Sequence, residues 1–250
     1  MSGVSIIIAA AGRGMRMGQG DKLFLDVAGL PLVGHTWRRF DQFDMASEII
    51  IVTRSESRSL FEDLAKRIYV TKPWRIIEGG AERQYSVSNG VSASDESSEV
   101  VAIQDGARPC SPLALVAEAI EAAREMGAAV LAKRVSDTLK RSNDQAQVLE
   151  TVDRQNLWAV QTPQVFRREV ILAALAKVHD EGVPITDDTA ACEVIGQSVK
   201  LIECNQPNPK ATTPDDLPFI ESLIAAEAAG ETQLPAPISL INAASFSGPD

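Results

Sequence analysis

The chain has 250 residues, 45% of them hydrophobic and 23% charged, and its 34 Asp and Glu against 24 Lys and Arg give a formal net charge of -10. That length and balance suit a folded chain with a substantial core and exclude bulk disorder. A negative envelope repels nucleic acid and anionic membrane, so neither is an expected partner; three scattered cysteines and two histidines argue against zinc and for a reducing cytoplasmic setting.

The N-terminus has no basic stretch followed by a long apolar run, which disfavours secretion and membrane spanning. It enters at once a β-branched run, Val4 to Ala9, too short for a helix and expected as a strand buried on both faces. Pro31 opens an amphipathic helix to about Phe40, and Glu48 to Val52 is a second strand. A helix over about 56–67 leads to a strand at 75–78, and another helix begins near Gln84. Val100 to Gln104, Leu113 to Met126 and Ala128 to Lys133 read as strand, helix and strand. Such alternation predicts a doubly wound α/β sheet, in which ligands sit beyond the carboxyl ends of the strands. Ala10 to Lys22, Gly79 to Arg83 and Asp105 to Arg108 should therefore face one crevice.

Residues 135–157 break this rhythm with short alternating segments around a polar turn at Ser142 to Gln145, which predicts a two-stranded arm. An isolated hairpin is marginal in water, so the arm is expected to pack on a second subunit. Gln161 to Gln164 and Thr186 to Asp188 read as loop and helix-capping segments. Helices follow near 167–179 and 187–195, then a strand at 199–203 and a last helix over about 215–229. The reading is one domain over 1–230 and a disordered tail over 231–250, where prolines, serines and glycines show no periodicity.

The opening loop, AAAGRGMRMGQGDK, fails two familiar tests. Lys22 follows Asp21 and precedes Leu23, so there is no Gly-Lys-Ser/Thr ending of a P-loop; Gly12 and Gly14 fit a dinucleotide fingerprint but Met17 stands where its third glycine belongs. The second strand also ends in Thr53-Arg54 in place of the acidic residue that holds a ribose. Small residues after a buried strand, with Arg13, Arg16 and Lys22, suit a triphosphate instead. Gly79-Gly80-Ala81-Glu82 permits close backbone contact with a planar ligand ahead of a helix N-terminus. Asp105, at a strand's carboxyl end, is well placed for Mg²⁺ bridging substrate phosphates. Taken singly, each segment also fits a turn or cap with solvated charges.

Taken in order, AAAGRGMRMG with DK, GGAERQYSV, QDGARP, SDTLK, TVDR with QTPQVF, TDD and NPKATTPDDL resemble the 2-C-methyl-D-erythritol 4-phosphate cytidylyltransferases of the non-mevalonate isoprenoid pathway, from about Val4 to Ala229. The resemblance implies a Rossmann-like, mostly parallel sheet flanked by helices, of the nucleotide-diphospho-sugar transferase type, with a projecting β-arm that completes the neighbouring site in a homodimer. It implies CTP as a substrate and Mg²⁺ on Asp105. It casts Arg16 and Lys22 as the catalytic cations and the stretches Ala10, Ala11, Gly12, Gly14 and Gly79, Gly80, Ala81, Glu82, with Ser86, as the nucleotide cradle. Arg154, Thr162, Thr186 and Lys210, with Arg108 and Thr138 nearby, are implied to position the polyol phosphate. Departures are Gln104 for a usual His, Gly106 for Ala, Asp21-Lys22-Leu23 for Pro-Lys-Gln, and Pro209 before the last lysine. A ribitol 5-phosphate cytidylyltransferase and a non-catalytic CTP-binding module are the competing readings.

Overall fold

The computed structural model describes residues 3–12 and 21–230; Gly14, Arg16 and the tail from 231 lie outside them. Seven strands form the main sheet: β1 (Gly3–Ala9), β4 (Ala46–Thr53), β5 (Trp74–Glu78), β6 (Ser98–Asp105), β7 (Ala128–Arg134), β10 (Trp158–Arg167) and β11 (Lys200–Glu203). Their order is β11-β7-β10-β6-β1-β4-β5. β10 runs antiparallel to both its neighbours, and the other pairings are parallel. Two short strands, β2 (Asp26–Val27) and β3 (Leu30–Pro31), make a small hairpin that the sequence pattern had not suggested.

The near-continuous apolar strands alternate their side chains between two helical layers. Ile6 and Ile8 of β1, Ile49 and Ile51 of β4 and Val100 and Ala102 of β6 enter one core with Trp37, Phe40, Phe61 and Ile120. These come from α1 (Leu32–Asp41), α2 (Arg58–Ile68) and α4 (Leu113–Met126), with α7 (Leu217–Ala228) on the same side through Ile220. Ile7, Ile50, Val101 and Ile103 enter the opposite core with Val87, Ile171 and Cys192 of α3 (Arg83–Ser92), α5 (Arg168–Glu181) and α6 (Asp188–Val194). Cys192 is thus a core side chain, and burial pushes its thiol up to about 12, out of reach of thiolate chemistry.

The arm is present as β8 (Leu139–Ser142) paired antiparallel with β9 (Val148–Val152) in a sheet of its own. Val148 and Leu149 on it are each 62% exposed. Where a loop is expected at Gln161 to Gln164, the chain is instead inside β10. The ladder to β7 shifts register between Val160 and Gln164, with Pro163 in the interval. A proline without an N–H and two glutamines interrupt the apolar pattern there, and a bulge absorbs them.

Candidate active site

From β1 the chain crosses through α1 to β4 on one side, while β6 lies on the other; the carboxyl ends of β1 and β6 therefore border the crevice that this topology opens. A cleft of about 490 Å³ occupies it, within the size range of small-molecule sites. The three segments expected to face one crevice do meet there, among the described residues: Ala11, Gly12 and Lys22; Gly79 to Arg83 with Ser86; and Asp105 with Gly106. Lys210 joins them from the loop after β11.

One wall is backbone brought unusually close. A Cβ on Gly79 would fall 2.6 Å from the Ala11 Cβ, and one on Gly80 would fall 2.4 Å from the Tyr85 Cβ, so glycine is the residue that lets this turn lie against the end of β1. Ser86 fixes the turn from inside α3: its hydroxyl accepts the Gly80 N–H at 3.0 Å and donates to the Glu82 carbonyl at 3.0 Å. Ala81 and Glu82 line the cleft beyond it. Ala10 stands one step back from the cradle, because its N–H is spent on the Val52 carbonyl at 2.8 Å and it is buried.

The charged centre is Asp105. Lys210 Nζ lies 2.8 Å and Arg108 Nε 3.5 Å from its Oδ2. Burial works to raise its pKa, but Lys210, then Arg83 and Arg108, outweigh it and hold the carboxyl below its ordinary value. Thr162, from the β10 bulge, accepts the Asp105 N–H at 3.0 Å and so sits behind the carboxylate. Lys22 donates its ammonium to the Ala211 carbonyl at 3.0 Å, next to Lys210. Among the described residues no group of three or more His, Cys, Asp and Glu could hold a metal alone. One ionised carboxylate at the edge of a small-molecule cleft is nevertheless the protein share that Mg²⁺ commonly takes, the rest being water and substrate phosphate; the residues fit that ion.

Behind this centre lies a buried network with no local signature in the sequence. Arg83 makes a two-pronged pair with the fully buried Asp188, 2.7 Å to each oxygen. Burial pushes the Asp188 carboxyl up while the guanidinium draws it back. The Gln164 side-chain oxygen Oε1 accepts the N–H groups of Asp188 and Thr189 at 2.9 and 3.1 Å. Its amide donates to Asp187 Oδ2 at 2.9 Å, and Asp187, not Thr186, caps α6. The glycine turn is thereby tied through Arg83, Asp188 and Gln164 to the strand that carries Thr162.

Two of the departures, Gln104 and Gly106, have local causes. The buried Gln104 amide donates to the Arg108 carbonyl and to Ser111 Oγ, each at 3.0 Å, and so shapes the loop after Asp105. Gly106 leaves only 3.2 Å between a would-be Cβ and the Ala9 carbonyl oxygen. Asn208 ties that loop to β10, its amide donating to the Thr162 carbonyl at 2.9 Å and its oxygen accepting from Ser111 at 3.1 Å. Nothing in the structure explains Pro209.

Ala10, Arg108 and Thr162 stand behind the cleft lining, and Thr138, Thr186 and Arg154 lie away from the cleft of this protomer. Thr138 and Thr186 are exposed. Arg154 donates to the Ser136 carbonyl and lines a separate hollow of about 470 Å³ at the root of the arm, with Arg134 and Asp153.

A family model for 2-C-methyl-D-erythritol 4-phosphate cytidylyltransferase matches residues 4–226. A protein of that name from Caldanaerobacter subterraneus subsp. tengcongensis is 43% identical over 220 residues, 87% of this chain and 97% of the relative. Another from Geobacillus kaustophilus is 42% identical over 224 residues, covering 89% and 97%. Among solved structures, the 4-diphosphocytidyl-2C-methyl-D-erythritol synthase of Anaerococcus prevotii superposes with a TM-score of 0.78 at 29% identity, over 90% of this chain and 96% of that one. The 2-C-methyl-D-erythritol 4-phosphate cytidylyltransferase of Francisella tularensis gives 0.77 at 26%, over 89% and 100%. Sequence match over nearly the whole length and a shared sheet lead to one conclusion: the chain belongs to the 2-C-methyl-D-erythritol 4-phosphate cytidylyltransferase family.

Proposed function

We propose that the chain transfers the cytidylyl group of CTP to 2-C-methyl-D-erythritol 4-phosphate, releasing pyrophosphate, as a nucleotidyltransferase of isoprenoid precursor synthesis. The observation that carries this reading is the meeting of Lys22, Lys210 and Asp105 with the Gly79-Gly80 turn in one cleft at the switch point. An oxygen of the polyol phosphate attacks the α-phosphorus of CTP in line; that P–O bond forms as the bond to the bridging oxygen of the leaving pyrophosphate breaks. No protein atom bonds to phosphorus, so the work of the protein is positioning and charge stabilisation.

Lys22 faces the phosphate charge that builds at the α-phosphorus, and the family resemblance adds Arg16, beyond the described residues. The backbone of Ala11, Gly12 and Gly79 to Glu82 reads the pyrimidine and ribose by fixed donors and acceptors. Asp105 would hold a magnesium ion, which when bound with the triphosphate supplies charge neutralisation. Lys210 and Arg108 pair with the same carboxylate, and Thr162 accepts the backbone N–H of Asp105. The remaining polyol contacts, Arg154, Thr138 and Thr186, are assigned to a site completed by a second copy. The exposed Val148 and Leu149 support an arm that seats on that copy. No helix among the described residues is long and apolar enough to cross a membrane, and a cytoplasmic homodimer is the proposed working form.

Pyrophosphate release from CTP and Mg²⁺ tests the assignment. Release with 2-C-methyl-D-erythritol 4-phosphate is the expected result. Release with ribitol 5-phosphate alone would move the substrate to that polyol, and no release with either would leave a nucleotide-binding module.

A further inference from the structure

The least familiar residue of the opening loop, Asp21, has its partner at the unexpected end of β4. Arg54 Nη1 donates to the carbonyls of Ala11 and Gly12, at 3.3 and 3.2 Å, where the chain leaves β1. Its Nη2 donates to Asp21 Oδ2 at 2.8 Å, where the same segment ends. The other oxygen of Asp21 accepts the Leu23 N–H at 3.1 Å and caps the turn Lys22–Phe24. Both side chains are largely enclosed, 20% exposed for Arg54 and 11% for Asp21. One guanidinium thus spans both ends of the loop, and one carboxylate serves at once as its partner and as the cap of the turn that begins with Lys22.

We propose that Arg54 and Asp21 form a clasp at the base of the phosphate loop, making both of them positioning residues that set Lys22 against the end of β1. The inference rests on the role given above to Lys22. Two features set it apart from direct phosphate binding by Arg54. Among the described residues, its donors are committed to Ala11, Gly12, Asp21 and, at 3.3 Å, Ser57 Oγ. Its charge is offset by Asp21 and by Glu56, whose carboxylate lies 3.3 Å from Nε. The planar fork reaches two carbonyls and a carboxylate together, which a lysine ammonium at the same place does not. Closing a chain segment costs conformational entropy, and a clasp settles part of that cost before substrate binds.

The test is a double-mutant cycle with Asp21→Ala, Arg54→Ala and both together, reading kcat, KM for CTP and melting temperature. A misplaced Lys22 lowers kcat by about tenfold to a hundredfold in each single variant. KM for CTP is expected to change less than about threefold, and the double variant to be no worse than the poorer single one. Arg54→Lys is expected not to restore kcat. Multiplicative losses overturn the clasp, and so does an Asp21→Ala variant that binds CTP more tightly, because a freed Arg54 would then be a phosphate ligand.

Should Arg54→Ala fail to fold, Asp21→Asn carries the test, since it keeps an oxygen for the Leu23 cap but loses the charge facing Arg54. A fall in kcat at unchanged KM supports the clasp, and wild-type kcat overturns it. Lys22→Ala in the same series separates the two readings. Wild-type turnover there removes the role of Lys22, and with it the purpose of the clasp. Loss there without coupling between Arg54 and Asp21 overturns the clasp alone.

Discussion

Asp105 and Arg154 are assigned to the same reaction but are held by opposite means. Asp105 sits on the end of a buried strand, with Thr162 behind its backbone and Lys210 and Arg108 on its carboxylate. Arg154 sits at the root of the exposed two-stranded arm and donates only to a nearby carbonyl, that of Ser136, among the hydrogen bonds of the described residues. The cleft floor is organised by its own protomer before substrate arrives, and on the proposed reading the arm acquires its packing from a second one. The carboxylates of the floor, Asp105 and Asp188, are shielded from solvent, so their ion pairs are screened less than charges on the exposed arm.

Arg83→Ala tests that contrast at its strongest. It strands the fully buried Asp188 without its partner, so the variant should lose about 3–5 kcal/mol of unfolding free energy at neutral pH, read by urea denaturation. Because the stranded carboxyl then has a folded pKa above its unfolded one, the deficit should shrink as pH falls and grow as pH rises. A loss below about 1 kcal/mol would put the floor on the same footing as an exposed ion pair.

Lys22→Ala comes next. Turnover should fall by about 10²–10³, with the melting temperature little changed, in a pyrophosphate-release assay. Unchanged turnover would remove Lys22 from the mechanism.

Lys210→Ala sharpens the electrostatic side. In the wild type, Asp105 has a depressed pKa, so its stabilising contribution is present above the unfolded carboxylate range and is lost as pH falls through the folded value. Removing Lys210 leaves burial opposed only by Arg83 and Arg108. The variant should therefore be less stable than wild type near pH 7, with the gap closing below about pH 4 in urea titrations across that range. A gap that does not depend on pH would show that Lys210 contributes packing and not charge.

The smallest effect on the single chain is expected on the arm. Leu149→Asp should change its unfolding free energy by less than about 0.5 kcal/mol at dilution, since the side chain is exposed. Light scattering should nevertheless show monomer in place of the proposed dimer. A large loss of stability in the monomer would mean that the arm packs on its own body.

The sheet was legible because the strands are β-branched runs buried on both faces, and the arm because its alternation breaks the rhythm. The three crevice segments were legible because open-sheet topology gathers strand ends wherever the motifs fall. What escaped has a common cause: interactions between residues far apart in sequence. Arg83 and Asp188 are separated by 105 positions and Arg54 and Asp21 by 33, and no local spacing announces either pair. β10 escaped for a different reason. Its central residues Gln161, Thr162, Pro163 and Gln164 have the composition of a turn, and the side chains of Thr162 and Gln164 bond to Asp105 and Asp187. Thr53-Arg54 reads in the sequence as the lack of a ribose-binding acid, while the bonds of Arg54 to Ala11, Gly12 and Asp21 depend on where the first loop begins and ends.

β10 also runs without interruption from the root of the arm to the middle of the sheet. Trp158 starts it, stacked under Arg134 with the guanidinium carbon 4.2 Å from its ring centroid, and Arg167 ends it beside Val100. One strand thus joins the arm to the floor directly along the chain. The single give in its pairing with β7 is the register shift between Val160 and Gln164, which is where Thr162 meets Asp105. On the proposed reading, a second copy seated on the arm would rest on the same continuous stretch of chain that places Thr162 against the Asp105 backbone.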